Sequence, residues 1–217
     1  MSRVAVIDYG AGNLRSVAGA LKHLGADFEV TSDPAKAAEA HAIILPGQGA
    51  FGDCMANLRK GGMNEVMKEA AASGKPFLGI CIGLQIIFDS SEEFGEHEGL
   101  GILPGRNVRF SGADFEGTPP ALKIPHMGWT RVHPVREHPL FAGIDDGAYF
   151  YFVHSFYPVP ERDEDILATA DHGGEFVCAA ARDNVMAVQF HPEKSQDAGL
   201  RLLTNFLEIA KGASSSA

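Results

Sequence analysis

Short apolar runs alternate with segments of helical period through the first part of the chain. Val4 to Asp8, Phe28 to Thr31, Ala42 to Leu45 and Phe77 to Ile80 are too short for helices and are bounded by turn residues, whereas Asn13 to Leu24 and Met63 to Ala72 carry apolar residues at helical spacing. This alternation predicts βαβα units around a parallel sheet with both faces covered. Gly25 and Gly74 stand where helix C-caps belong, and Asp33 before Pro34 reads as an N-cap followed by a first-turn proline. From Arg106 to Phe190 the pattern changes to short β-rich runs, Asn107 to Phe110, Tyr149 to Val153, Ile166 to Thr169, Phe176 to Ala180 and Val185 to Phe190, separated by turns rich in Gly and Pro. An antiparallel or mixed extension of the sheet follows. Ala198 to Ala210 gives a closing amphipathic helix with Leu202, Leu203, Phe206, Leu207 and Ile209 on or near one face. With no repeat and no linker, the chain reads as one α/β domain over residues 1–211, a mostly parallel open sheet flanked by helices with an antiparallel β extension; residues 212–217 read as a disordered tail.

Composition narrows the function. The net charge of -10, without a Lys/Arg cluster, argues against a nucleic-acid partner, and no apolar run approaches the roughly 20 residues of a membrane span. Cys54, Cys81 and Cys178 are odd in number, show no C-x-x-C spacing and follow no signal peptide, so reduced thiols in a cytoplasm are expected. His23, His97, His133, His138 and His172 show no regular ligand spacing and read as solvated surface side chains; neither metal nor cofactor is expected.

Two segments carry chemistry. Lys75 to Phe88 is an apolar strand, then Gly79-Ile80-Cys81-Ile82-Gly83, then an apolar helical stretch, the spacing of a nucleophile elbow with Cys in place of Ser. A strand that reverses directly into a helix leaves no room for a Cβ two residues either side of the nucleophile, which accounts for both glycines. Cys81 would stand at the turn, at a helix N-terminus that favours thiolate, with the Ile82 N–H free to meet a developing oxyanion. The alternative is a buried structural cysteine flanked by glycines by chance. In Ala187-Val-Gln-Phe-His-Pro-Glu-Lys194, directly after an apolar strand, His191 and Glu193 are two apart, and on extended chain they share a face. Glu193 would hold the imidazole of His191 in the tautomer a base needs, giving a Cys, His, Glu triad.

Three separated blocks, Pro46-Gly-Gln-Gly49, Gly79-Ile-Cys-Ile-Gly83 and Gln189-Phe-His-Pro-Glu193, resemble the class I (triad) glutamine amidotransferases, whose fold is flavodoxin-like. Four further blocks, Asp8 to Asn13, Pro46 to Gly52, Ile124 to Trp129 and Tyr151 to Tyr157, resemble one branch of that family, the glutaminases that feed ammonia to a separate (β/α)8-barrel cyclase in histidine biosynthesis. The resemblance implies that Cys81 attacks the side-chain amide of glutamine to give a thioester and ammonia, that His191 moves the protons and that Glu193 orients it. It implies that Gly47, Gln48 and Gly49 form an oxyanion strand, a backbone N–H near Gln48 joining that of Ile82 after the peptide reorients. Gln48 stands where the family usually has a small apolar residue and would contribute its backbone. Gln85 and the backbone around His154, Ser155 and Phe156 match groups that hold glutamine, while Gly10, Asn13, Trp129, Tyr151 and Lys194 match positions facing the cyclase in a heterodimer. Of Tyr149, Phe150, Tyr151 and Phe152, alternating as in a β-strand, at least two read as plain core.

Two other readings stay open on sequence: a self-sufficient Cys hydrolase of the same fold, and a scaffold that has lost its chemistry. The chain is too short to contain a barrel of roughly 250 residues, so the amidotransferase reading requires a separate partner.

Overall fold

In the computed structural model, which describes residues 3–10, 12–116 and 121–214, the four early apolar runs are strands: β1 (Val4–Ile7), β2 (Phe28–Thr31), β3 (Ala42–Leu45) and β4 (Phe77–Ile80). They alternate with α1 (Leu14–His23), α2 (Pro34–Glu39), α3 (Phe51–Lys60) and α4 (Met63–Ala72), and β4 turns directly into the short α5 (Ile82–Ile86). Asp33 caps α2 as expected, its carboxylate accepting from the Ala35 N–H at 2.9 Å. Gly25 and Gly74 follow α1 and α4 with φ of +67° and +80°, the left-handed backbone that ends a helix.

The second half supplies β5 (Ser90–Ser91), β6 (His97–Glu98), β7 (Gly105–Arg109), β8 (His126–Pro134), β9 (Ala148–His154), β10 (Phe156–Pro160), β11 (Ile166–Asp171), β12 (Glu175–Arg182), β13 (Val185–Val188) and α6 (Gln196–Ser214). Among the described residues the main sheet has the order β2-β1-β3-β4-β13-β12-β11-β8-β9. The first five strands are parallel and the rest antiparallel, as the change of pattern predicts. Of a second sheet, β10-β7-β5-β6, the sequence pattern shows only β7, as the run from Asn107 to Phe110; two of the other strands are two residues long and take their pairing from tertiary contacts. The closing helix runs past Ala210 to Ser214, so Gly212 to Ser214 of the expected tail are helical, and residues 215–217 lie outside the described residues.

The parallel strands are buried on both sides. Val4, Val6, Leu78, Ile80, Met186 and Val188 meet α1 and α6 on one face; Ala5, Ile7, Ile43, Leu45, Phe77 and Ala187 meet α3 and α4 on the other. Because β1 pairs with β2 on one side and β3 on the other, the sheet reverses direction of growth at β1. Ligands of such sheets bind beyond the carboxyl ends of the strands near that switch. The blocks Asp8–Asn13, Pro46–Gly49, Cys81 and Gln189–Glu193 are the carboxyl ends of β1, β3, β4 and β13.

Candidate active site

Cys81 sits at φ 58°, ψ -109°, a backbone conformation that few residues other than glycine adopt. The flanking glycines make it possible: a Cβ on Gly79 would lie 2.7 Å from the Gly83 carbonyl oxygen, and one on Gly83 would overlap the Leu45 carbonyl oxygen. The helix beyond is shorter than the apolar pattern predicts, ending at Ile86 instead of continuing to Phe88. Its last carbonyls are taken by the following loop, with Leu100 N–H donating to Ile86 O at 2.8 Å and Ile102 N–H to Ile87 O at 2.9 Å. The dipole at Cys81 is correspondingly that of little more than one turn, and the local N–H of Ile82 matters more than the macrodipole.

His191 and Glu193 meet as expected, Nδ1 to Oε1 at 2.8 Å, with both side chains buried. The route differs from the extended chain inferred from sequence. β13 ends at Val188, and Pro192–Lys194 form a 3-10 turn, tightened by the fixed φ of Pro192, that brings the carboxylate back beneath the ring. Ser195 fastens this turn: its hydroxyl donates to His191 O at 2.6 Å and accepts the Tyr151 N–H at 3.0 Å. Burial works against the imidazolium, but hydrogen bonding and charge from Cys81 and Glu193 outweigh it, raising His191 to about 9. Its Nε2 is buried with no hydrogen-bond partner among the described residues. Burial instead pushes Cys54 up to about 11 and Cys178 well above the ordinary thiol value, so both are held as inert thiols.

Around this pair the structure gathers the residues singled out from sequence. Asn13, matched to a partner-facing position, turns its amide onto the Glu193 carboxylate and so belongs to the surroundings of the His191–Glu193 pair as well; Ala11 lies outside the described residues. Gly47 lies against Ile82, since a Cβ there would be 2.5 Å from the Ile82 Cγ2 and would overlap the Tyr9 hydroxyl. The two segments expected to meet an oxyanion are therefore in contact. Gly49 has φ +121°. The exposed Gln48 has its carbonyl near the Cys54 thiol at 3.8 Å and its side-chain amide packed on Gly12. Gln85 donates to Phe156 O at 2.9 Å and to Gln189 Oε1 at 3.1 Å, and the Gln189 amide nitrogen is 3.9 Å from Cys81 Sγ. Ser155 holds β7 through its carbonyl, which accepts the Phe110 N–H at 3.1 Å. Trp129, Tyr151 and Lys194 form one exposed-side group: the Trp129 and Tyr151 ring centres are 6.1 Å apart and the Lys194 ammonium lies 5.8 Å from the Tyr151 ring. Gly10 lies on the loop after β1, its N–H donating to Asp8 Oδ1 at 3.0 Å.

Sequence reasoning gave no role to Gln189, Ser195 or Tyr9. Gln189 and Tyr9 were visible as members of the blocks around His191 and Asp8; Ser195 acts through contacts across the fold and had no local signal. His172 corrects the expectation of a solvated side chain, because it stacks on the buried His126 with ring centres 4.2 Å apart, drawn in by an aromatic cluster that includes Phe110 and Phe176. Among Tyr149 to Phe152, Phe150 and Phe152 are the core pair.

A parallel sheet with a strained cysteine at one strand end and a buried His–Glu pair at the next defines a class of protein. Residues 5–210 match the family described as glutamine amidotransferase class-I, and the chain belongs to that family. Its relatives narrow this: it is 54% identical to the imidazole glycerol phosphate synthase subunit HisH of Syntrophotalea carbinolica over 94% of this chain and 98% of that one, and 53% identical to the HisH subunit of Aromatoleum aromaticum over 97% and 100%. By sequence it falls among the HisH subunits of imidazole glycerol phosphate synthase. Two solved structures share the fold at low identity: PurLQS from Thermotoga maritima, at 20% identity and a TM-score of 0.73 over 95% of this chain and 98% of that one, and the glutaminase domain of CTPS from Trypanosoma brucei, at 17% identity and a TM-score of 0.64 over 96% and 94%.

Proposed function

We propose that this chain is a glutaminase that hydrolyses glutamine through Cys81, His191 and Glu193 and delivers the ammonia, in the cytoplasm, to a separate cyclase built as a (β/α)8 barrel. The observation that carries the chemistry is the pairing of β4 with β13: Cys81 ends one strand and Gln189 to Glu193 follow the other, with Cys81 N–H bonded to Val188 O at 2.8 Å. A thiol and an imidazole are thus held together by backbone register. His191 takes the thiol proton, Cys81 attacks the amide carbon, and the tetrahedral oxyanion meets the N–H of Ile82 and one from Gly47 to Gly49. His191 then gives its proton to the departing ammonia, and water releases glutamate from the thioester. Gln85 and the Phe156 backbone would hold the amino-acid end of the substrate. Gly10, Asn13, Trp129, Tyr151 and Lys194 would face the cyclase, which suits the aromatic and cationic character of the Trp129 group. The chain would act as a single domain over residues 1–211.

The test is Cys81→Ala in the complex. Glutamine-dependent product formation should fall by roughly 10⁴-fold or more, while formation from added ammonium salt stays within about twofold, because the acceptor chemistry lies on the cyclase. Undiminished turnover of glutamine by the variant would remove Cys81 from the mechanism. Glutamate release at full rate by the isolated chain would favour the self-sufficient hydrolase.

A further inference from the structure

His126 and His154 face each other as register partners on β8 and β9, with Phe152 stacked on the His126 ring at 4.9 Å. Their hydrogen bonds have a definite direction. His154 Nδ1 lies 2.9 Å from the Phe156 carbonyl oxygen, which can only accept, so this nitrogen carries a proton. Burial drives His154 to about 3, outweighing that bond, and His126 to about 4, so both rings are neutral. His154 Nε2 is then a bare lone pair and accepts from His126 Nδ1 at 3.0 Å. His126 Nε2 in turn accepts from the Thr130 hydroxyl at 2.8 Å. The chain runs one way, from Thr130 through His126 and His154 to the carbonyl of Phe156.

That carbonyl also accepts from Gln85 Nε2, so both its lone pairs are engaged. The second proton of the same amide goes to Gln189 Oε1, and Asn107 Nδ2 fixes the Gln85 main-chain oxygen at 2.9 Å. Both hydrogen bonds of the Gln85 amide thus go through Nε2, which leaves Oε1 as its open acceptor. A rotation of this amide by half a turn would set its oxygen against the Phe156 carbonyl, two acceptors with no proton between them.

We propose that His126 is a positioning residue for the reaction at Cys81: acting through His154 and the Phe156 carbonyl, it fixes the Gln85 amide with Oε1 outward, as the acceptor for the α-ammonium group of bound glutamine. The proposal rests on the glutaminase reading, and it assigns a role to a residue that never touches substrate. Weakening the chain loosens the grip on the amino-acid end of glutamine directly, and reaches the sulfur only through the long Gln189 contact. The effect belongs in KM.

Two measurements test this. In nitrogen-15 spectra of the unmodified full chain with labelled histidine at neutral pH, the His126 and His154 rings should both be the neutral Nδ1–H tautomer; Nε2–H or a charged ring at either would overturn the chain of bonds. In steady-state glutamate release by the complex with its cyclase, His126→Leu should raise KM for glutamine about tenfold, the equivalent of one hydrogen bond to an ion, with kcat within about threefold. His126→Asn, whose amide N–H can stand in for Nδ1–H, should keep KM within about threefold of the unmodified chain. Equal KM for all three, equal loss in both variants, or a loss confined to kcat would each overturn the positioning role. Absence of glutamate release from the unmodified complex would overturn the glutaminase reading and the role with it, while the ring spectra still decide the bonding.

Discussion

Cys81 holds its place at a cost of about 1–3 kcal/mol of backbone strain, which the packing of Gly83 on β3 sustains. His191 is tied to it by charge, and this has a measurable pH signature. The ring is raised from the ordinary 6.5 to about 9, so between those values the folded chain keeps a proton that the unfolded chain has lost. The stabilisation is fully present below about 6.5 and disappears as pH rises through about 9. Denaturant melts should show a larger stability difference between the unmodified chain and His191→Asn at about pH 6 than at about pH 10; the reverse order would contradict the raised ring. In activity, His191→Asn should cost roughly 10⁴-fold or more, and Glu193→Gln roughly ten- to a hundredfold less, because the carboxylate orients and does not transfer the proton. A larger loss in the Glu193 variant, read by glutamate release, would make Glu193 the base.

At the scale of elements, α6 is the part that aims the base. Its Gly199 packs so closely on the 3-10 turn that a Cβ would overlap the Pro192 carbonyl oxygen and come within 2.8 Å of the Ser195 Cβ. Gly199→Ala should therefore displace the turn, lowering kcat about ten- to a hundredfold at a stability cost of about 1–3 kcal/mol, a drop of several degrees in melting temperature. Glutamate release beside a thermal melt checks it, and full activity would mean that the helix does not hold the turn. How far such elements can be read in advance depends on where their information lies. β3, α4 and β4 match the apolar pattern residue for residue, since each is a local run between clear stops. α3 is hard to see although Phe51, Cys54, Met55 and Leu58 recur at helical spacing, because glycines around Gly47 to Gly52 read as a loop. β8 is hidden because so few of its residues point into the core. The proposed triad is legible because its members sit near Gly and Pro, which advertise sharp turns. The polar chain behind Gln85 is not, being assembled from three strands and a helix distant in sequence.

For the whole molecule, the exposed Trp129 reaches the His191 turn through Tyr151 and Lys194, and on the proposed reading this would couple docking to chemistry. Met127 and Tyr149 stay exposed beside Trp129, an apolar face at the rim of the site. The isolated chain should release glutamate slowly and accelerate about a hundred- to a thousandfold with the cyclase and its ligand, the worth of one oxyanion donor brought into line. Trp129→Ala should weaken that association by about 2 kcal/mol or more, near thirtyfold in Kd, with little change in the rate of the isolated chain. Calorimetric titration against the cyclase, together with the rates, decides both expectations; an unchanged Kd would move the docking face elsewhere.

The insertion of β13 between β4 and β12 also has a temporal side. Cys81 is made well before His191, and the strand that leads to His191 must slide into the middle of a sheet whose neighbours already exist. On the proposed mechanism a growing polypeptide would carry its thiol with no means of igniting it until that strand arrives, and ammonia would not leak from unfinished copies. Nascent chains stalled before Val185 should release no glutamate even with the cyclase supplied, and chains extended past Ser214 and clear of the exit tunnel should gain activity in one step. Gradual gain with length would mean that the sheet does not close around its last strand.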